Sequence, residues 1–144
     1  MSRRAIRAEV LSGDTGSSTS GGAVDFGEML NQVHDSIASH VEEMNGMEES
    51  TAEERQRFIA FIDDTKLNKI DVMVEARTLL EVKYGVAGYA SVFGPFSRSE
   101  RYLNRTWAAL VDAHWPEAKK SMATASSAMS DAKAALDALI ADAS

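Results

Sequence analysis

Cysteine is absent from this chain. Disulfides and thiolate metal sites are thereby excluded, and a reducing compartment is the natural setting. Long apolar runs are missing too: nothing approaches the roughly 20 consecutive apolar residues of a membrane span. Ser2-Arg3-Arg4 has the look of a twin-arginine leader, but Ser12, Gly13, Asp14, Thr15 and Gly16 stand where an apolar stretch would have to follow, so no export signal is read there. Basic charge is scarce: 15 Lys and Arg against 22 Asp and Glu leave a net charge of −7. Such a balance disfavours non-specific contact with nucleic acid or an anionic membrane. The expectation is a cytoplasmic chain with no membrane contact.

The signatures of common chemistries are also missing. No Gly-x-Ser-x-Gly turn exists to present a nucleophile, and Gly94-Pro95-Phe96-Ser97 lacks the glycine spacing and lysine of a phosphate loop. A carboxylate-bridged di-metal bundle needs paired Glu-x-x-His motifs; His40-Val41-Glu42-Glu43 is the reverse order and occurs once. His34 and His40, six apart, fall on different faces of a helix and are expected to flank its apolar stripe toward solvent. His114, beside Trp115 and Pro116, suits the end of the preceding helix, where a cation complements the dipole. The pairs Asp63-Asp64 and Glu53-Glu54 stand where a solvated helix face would put them. No catalytic residue, metal ligand or cofactor is expected.

What is present is helical. A chain of 144 residues makes one ordinary domain and can bury a sizeable core without a staple. Residues 1–24 read as an N-terminal arm, with Arg3, Arg4 and Arg7, followed by a Gly/Ser-rich flexible connector over 12–23. Residues 25–144 read as the folded domain. Three capping-box spacings, Asp25 with Glu28, Thr51 with Glu54, and Ser97 with Glu100, predict helix starts. Pro116 predicts a fourth, since a missing N–H costs nothing in a first turn. Helix one carries Phe26, Met29, Leu30, Val33, Ile37, Val41 and Met44 on one stripe and ends near Gly46. Over 52–84 the apolar phase slips at Asp63-Asp64 and resumes at Leu67, Ile70 and Val74. With no Gly or Pro in that span, one long helix with a kink or register shift is favoured over two helices. Helix three is expected over 98–113. The fold class is all-α: a bundle of four main helices with a long second helix, a long C-terminal helix and a flexible N-terminal arm.

The last helix carries Ala118, Met122, Ala125, Met129, Ala132, Leu136, Leu139 and Ala143 at alternating spacings of four and three. This heptad seam offers no chemistry and is built to lie against another helix. Helix three, expected to be little more than half as long, would leave the second half of the seam free for helix one, helix two or another chain. A second candidate surface is the uncharged stretch from Tyr84 to Phe96, with four aromatic residues; it is either the core-facing corner between helices two and three or a partner patch. The interface candidates are Tyr89, Phe93, Phe96, Met129, Leu136 and Leu139. Arg98, Arg101 and Arg105 recur at helical spacing and could pair with acids of a neighbour or form a solvated face.

The reading that follows is a non-catalytic structural or adaptor subunit, acting through helix–helix contacts and self-associating as a homo- or hetero-oligomer. Its partner is protein rather than nucleic acid or membrane. Two alternatives are a building block of a filament or viral-type shell with the arm gripping a neighbour, and a metal-binding bundle enzyme built on His40.

Over about residues 99–132 the chain resembles one tetratricopeptide hairpin. Ala118, Met122 and Ala125 fall at that family's second-helix Ala, aromatic and Ala offsets, and Tyr102 falls where its first-helix Trp belongs. Thr106 stands at a small-residue position; Ala109, Arg105 and Ser130 replace the family's Tyr, Leu and closing Pro. The resemblance implies a helix-turn-helix and, by analogy, protein binding. A solenoid needs about three units, and there is no second copy.

Overall fold

The computed structural model describes residues 15–143, with side chains from Phe26 onward. The arm over residues 1–14, and the idea that it grips a neighbour, lie outside the described residues. The elements are α1 (Thr15–Asn45), α2 (Ala52–Thr65), a π turn (Lys66–Ile70), α3 (Asp71–Glu75), α4 (Arg77–Val111) and α5 (Trp115–Ala143). Among the described residues there is no strand. The all-α bundle expected from the periodicity is what forms, with α2 to α3 and residues 77–84 making the long second body.

Thr51 caps α2 as the sequence spacing requires. Its hydroxyl accepts from the Glu54 N–H at 3.1 Å, and the Glu54 carboxylate accepts from the Thr51 N–H at 2.8 Å. The phase slip near Asp63-Asp64 is a π turn. The Asp71 N–H donates to the Lys66 carbonyl, five residues back, and this wide turn advances the stripe by one residue. Phe58, Ile59, Ile62 and Thr65 face the core before it, and Ile70 and Met73 after it. The long helix is therefore continuous through residue 64. It breaks at Ala76, whose φ of −90° and ψ of 4° lie outside the helical range.

The other two capping boxes do not start helices. α1 begins at Thr15, upstream of Asp25. Ser, Thr and Gly are poor helix formers, but beyond a packed segment each added residue needs only one more hydrogen bond. Ser97 lies inside α4, which passes through Gly94-Pro95 without a turn. The break falls at Gly85, with φ 79° and ψ 173°, so helix three spans 86–111 rather than 98–113. A single stripe of Val92, Phe93, Phe96, Ser99, Leu103 and Thr106 is buried on both sides of Pro95. Breaking the helix there would split that stripe, whereas keeping it forfeits only the bond to the carbonyl of exposed Ser91.

α4 ends in a Schellman motif. The His114 N–H donates to the Ala109 carbonyl at 2.8 Å and the Ala113 N–H to Leu110 at 3.2 Å. Ala113 sits at φ 59°, the left-handed position usually given to glycine. Here the backbone of His114, rather than its ring, serves the helix end. The Trp115 indole N–H and the Lys119 ammonium both donate to the Met47 carbonyl, at 3.0 and 3.1 Å, tying the first interhelical loop to the start of α5.

α5 packs along α4 and along α1. Ala118, Ser121, Met122, Ala125, Ala128, Met129, Ala132 and Leu136 are all buried. The approach to α4 is close enough for the Ser99 hydroxyl to donate to the Ala125 carbonyl at 2.7 Å. At the far end Leu139 lies on Gly88, where a Cβ would come within 3.3 Å of its Cδ2. Phe26 of α1 packs on Phe93 and Phe96 of α4 at ring separations of 5.7 and 6.4 Å.

Two substitutions test the backbone assignments. Nothing lies within 4 Å of a Cβ built on Gly85, so Gly85→Ala introduces backbone strain alone and should cost about 1–3 kcal/mol. Ala113→Gly should stabilise by about 1 kcal/mol, because it relieves a left-handed L-residue. Urea unfolding with unchanged denaturant slope is the measurement for both.

Candidate functional site

The six residues proposed from sequence as interface candidates belong to the chain's own core or pack against it. Phe96 and Met129 are fully enclosed, Phe93 and Leu136 are buried, and Tyr89 and Leu139 are half-buried against the same cluster. The four aromatic residues of the uncharged Tyr84–Phe96 stretch thus pack toward the core, while Val86 stays outside it: Tyr89 stacks on Phe93 at 4.9 Å, and Phe93 meets Phe96 at 4.8 Å. The free second half of the α5 seam does not exist either. With helix three starting at 86, its ~39 Å nearly matches the ~43 Å of α5, and the seam is covered from Ala118 through Leu136. Only Ala143 stands exposed at its end.

The histidines also differ from expectation. His40 packs on α2, stacked at 3.6 Å on the Phe61 ring and edge-on to Phe58, with Nδ1 2.7 Å from the Ser36 carbonyl. His34 bridges α1 and α5, its Nδ1 2.9 Å from Asp35 Oδ1 and its Nε2 2.9 Å from Ser130 Oγ. Both therefore act as packing and bridging groups, not solvent-facing ones. Among the described residues no group of three His, Asp or Glu side chains is placed to hold a metal ion, and no helix is long and apolar enough to cross a membrane. Asp63 and Asp64 are exposed. Glu43 is paired with Arg57, whose hydrogen bonds hold the Glu43 carboxyl below the usual carboxylate range and whose own guanidinium is raised in return. This pair is exposed and bridges α1 to α2.

What remains for contact lies elsewhere. Leu79, Val82 and Val86 flank the Gly85 break, and the two valines are 81% and 67% exposed. They sit off the stripe formed by Leu80 and Tyr84, and that offset is the signal that could have found them. Beside them opens a cleft of about 710 Å³ between α1, residues 80–84 and the end of α5. Its lining is mixed: Leu30, Leu80, Tyr84, Leu136 and Ile140 together with Glu28, Asn31, Lys83, Lys133 and Asp137.

The arginine row is a second surface. Arg98, Arg101 and Arg105 are exposed on one face of α4. The Arg98 and Arg105 guanidiniums lie 5.6 and 5.2 Å from the Tyr102 ring centroid. Of the residues that carried the hairpin resemblance, Ala109, Ala118, Met122 and Ala125 are buried, whereas Tyr102 is half-buried beneath these two arginines. No family model, curated protein or solved structure matches the chain.

If the α5 seam is core, Met129→Ala should lose about 2–5 kcal/mol of stability. The lowered melting temperature should be the same at dilute and concentrated protein. A loss that vanishes on dilution would return Met129 to an interface.

Proposed function

We propose that the chain is a non-catalytic structural or adaptor subunit that acts through helix–helix contacts with other protein and self-associates. The observation that carries this reading is the apolar face around Gly85. Valine is a poor choice for a solvated helix surface: it loses side-chain freedom there and leaves apolar area in water. Val82 and Val86 both do so, close in sequence to Leu79 and to the Leu80, Lys83 and Tyr84 that line an open cleft. Exposed apolar side chains gathered within eight residues favour a protein contact.

A second copy is the occupant that the surrounding charges favour. Glu81 and Lys83 flank Val82 and are both exposed. A two-fold axis through the valines sets each glutamate across from a lysine of the other copy, which makes the face complementary to itself. The arrangement needs no ligand and no reacting group.

Sedimentation velocity over a concentration series tests the proposal. The wild-type chain should pass from monomer to dimer, and Val82→Asp/Val86→Asp should stay folded with association weakened roughly tenfold or more. A wild-type chain that remains monomeric at every concentration would overturn it.

A further inference from the structure

We infer that Arg98, Arg101 and Arg105 form a second docking surface, and that its occupant is the acidic interhelical corner of another copy of this chain. The inference rests on the self-association reading but uses a different surface. The arginines recur at three and four along α4, so they share one face. All three are exposed, and among the described residues none has a carboxylate within ion-pair distance. Two of them also rest on an aromatic ring: Arg98 and Arg105 lie 5.6 and 5.2 Å from the Tyr102 ring centroid. A guanidinium resting on a ring keeps its N–H edges outward, ready for carboxylates in a bidentate geometry. Three arginines without a carboxylate at ion-pair distance stand out on a chain of net charge −7, where acids abound elsewhere.

The complementary surface is the corner where α1 turns into α2. Glu42, Glu48 and Glu49 are exposed there, and no basic residue stands between positions 42 and 54; Arg55 and Lys119 reach the corner but donate to the Ser50 and Met47 carbonyls. Glu43 is already engaged by Arg57, and Glu54 by the Thr51 cap; Glu42, Glu48 and Glu49 are not. The loop that carries Glu48 and Glu49 is fixed at its base by the bonds from Trp115 and Lys119 to Met47. Both surfaces are thus presented by anchored backbone. Because the arginine row and the acidic corner are different patches, the contact is heterologous: each copy offers one of each, and association closes into a ring or continues as an open array. Coulomb attraction between exposed groups is screened by salt, which separates this contact from the apolar one.

The test is a charge exchange on the full chain, read by sedimentation velocity at low and high salt. One variant carries Arg98→Glu, Arg101→Glu and Arg105→Glu; the other carries Glu42→Arg, Glu48→Arg and Glu49→Arg. All six side chains are exposed, and circular dichroism melts confirm folding; an Arg→Gln triple variant serves if the glutamate version melts early. The wild type should form species larger than a dimer at low salt and lose them at high salt. Each variant alone should lose them at both salts, with association roughly tenfold or more weaker. Mixing the two variants should restore them, since each then supplies the charge the other lacks. Large species that are indifferent to salt and to both variants, or a mixture that stays dissociated, would overturn the inference. So would binding of a single-stranded oligonucleotide that the arginine variant loses, which would assign the row to nucleic acid. A salt-insensitive dimer persisting in the arginine variant leaves the apolar contact standing whatever becomes of this one. Salt-sensitive assembly persisting in Val82→Asp/Val86→Asp does the reverse.

Discussion

Close approach of α5 to its neighbours is the constraint on which the rest of this fold depends. Four alanines and a serine on the buried side of α5, at 118, 121, 125, 128 and 132, leave room for the partner helices rather than filling it. The volume is supplied from the other side: Phe96, Leu103 and Leu110 from α4, and Leu30, Val33 and Ile37 from α1. Large residues set against small ones reach interior packing density without strain. The hydrogen bond from Ser99 to the Ala125 carbonyl follows from that proximity, since a short side chain reaches the neighbouring backbone only when the helices nearly touch. A heptad of small residues therefore marks the helix others close upon. In this chain those helices are its own.

Continuity of α4 is the second half of the same constraint. A partner as long as α5 is needed to cover its seam, and α4 provides one by running through Pro95 and breaking at Gly85 instead. This explains which parts of the fold were legible in the sequence. The Thr51 cap, the slip after Asp63-Asp64 and the stop near Ala113 are local events, each fixed by residues within one or two turns of it. The Asp25 and Ser97 boxes are equally local patterns, but there the same residues also satisfy a continuing helix. Burial of Val92, Phe93 and Phe96 with Ser99 and Leu103 on one stripe decides the outcome at Ser97. That stripe is visible in the sequence only if Pro95 is allowed to be helical. Once helix three was started at 98, the length mismatch with α5, and the free seam inferred from it, followed from the wrong boundary.

The proposed contact surfaces were legible to different degrees for a related reason. Periodicity marks what a helix buries, so it drew attention to Phe93, Phe96, Met129 and Leu136, all of which the chain covers itself. Val82 and Val86 are conspicuous because they break the period, and they become so only when the stripe through Leu80 and Tyr84 is known to face inward. The arginine row is legible directly, since three like charges at helical spacing must project from one face whatever lies behind them. Its pairing with Tyr102 required the coordinates.

Both proposed surfaces border or lie on one rigid element. From Gly85 to Arg98 is thirteen residues of α4, about 20 Å of helix, and the row ends before the Schellman turn that leads to α5. Val86 and the arginines thus share a single unbroken helix clamped along α5. Their relative orientation cannot change without disturbing the core. Two contacts held at a fixed angle specify one assembly geometry, whereas two contacts on hinged elements would permit many. Gly85 lies just outside this clamped run, and Leu79 and Val82 lie on the first part of α4, before the break. The glycine therefore sets how residues 77–84 are tilted against the run from Val86 onward. Gly85, the one glycine at positive φ among the described residues, thereby fixes the angle between the two parts of the proposed face.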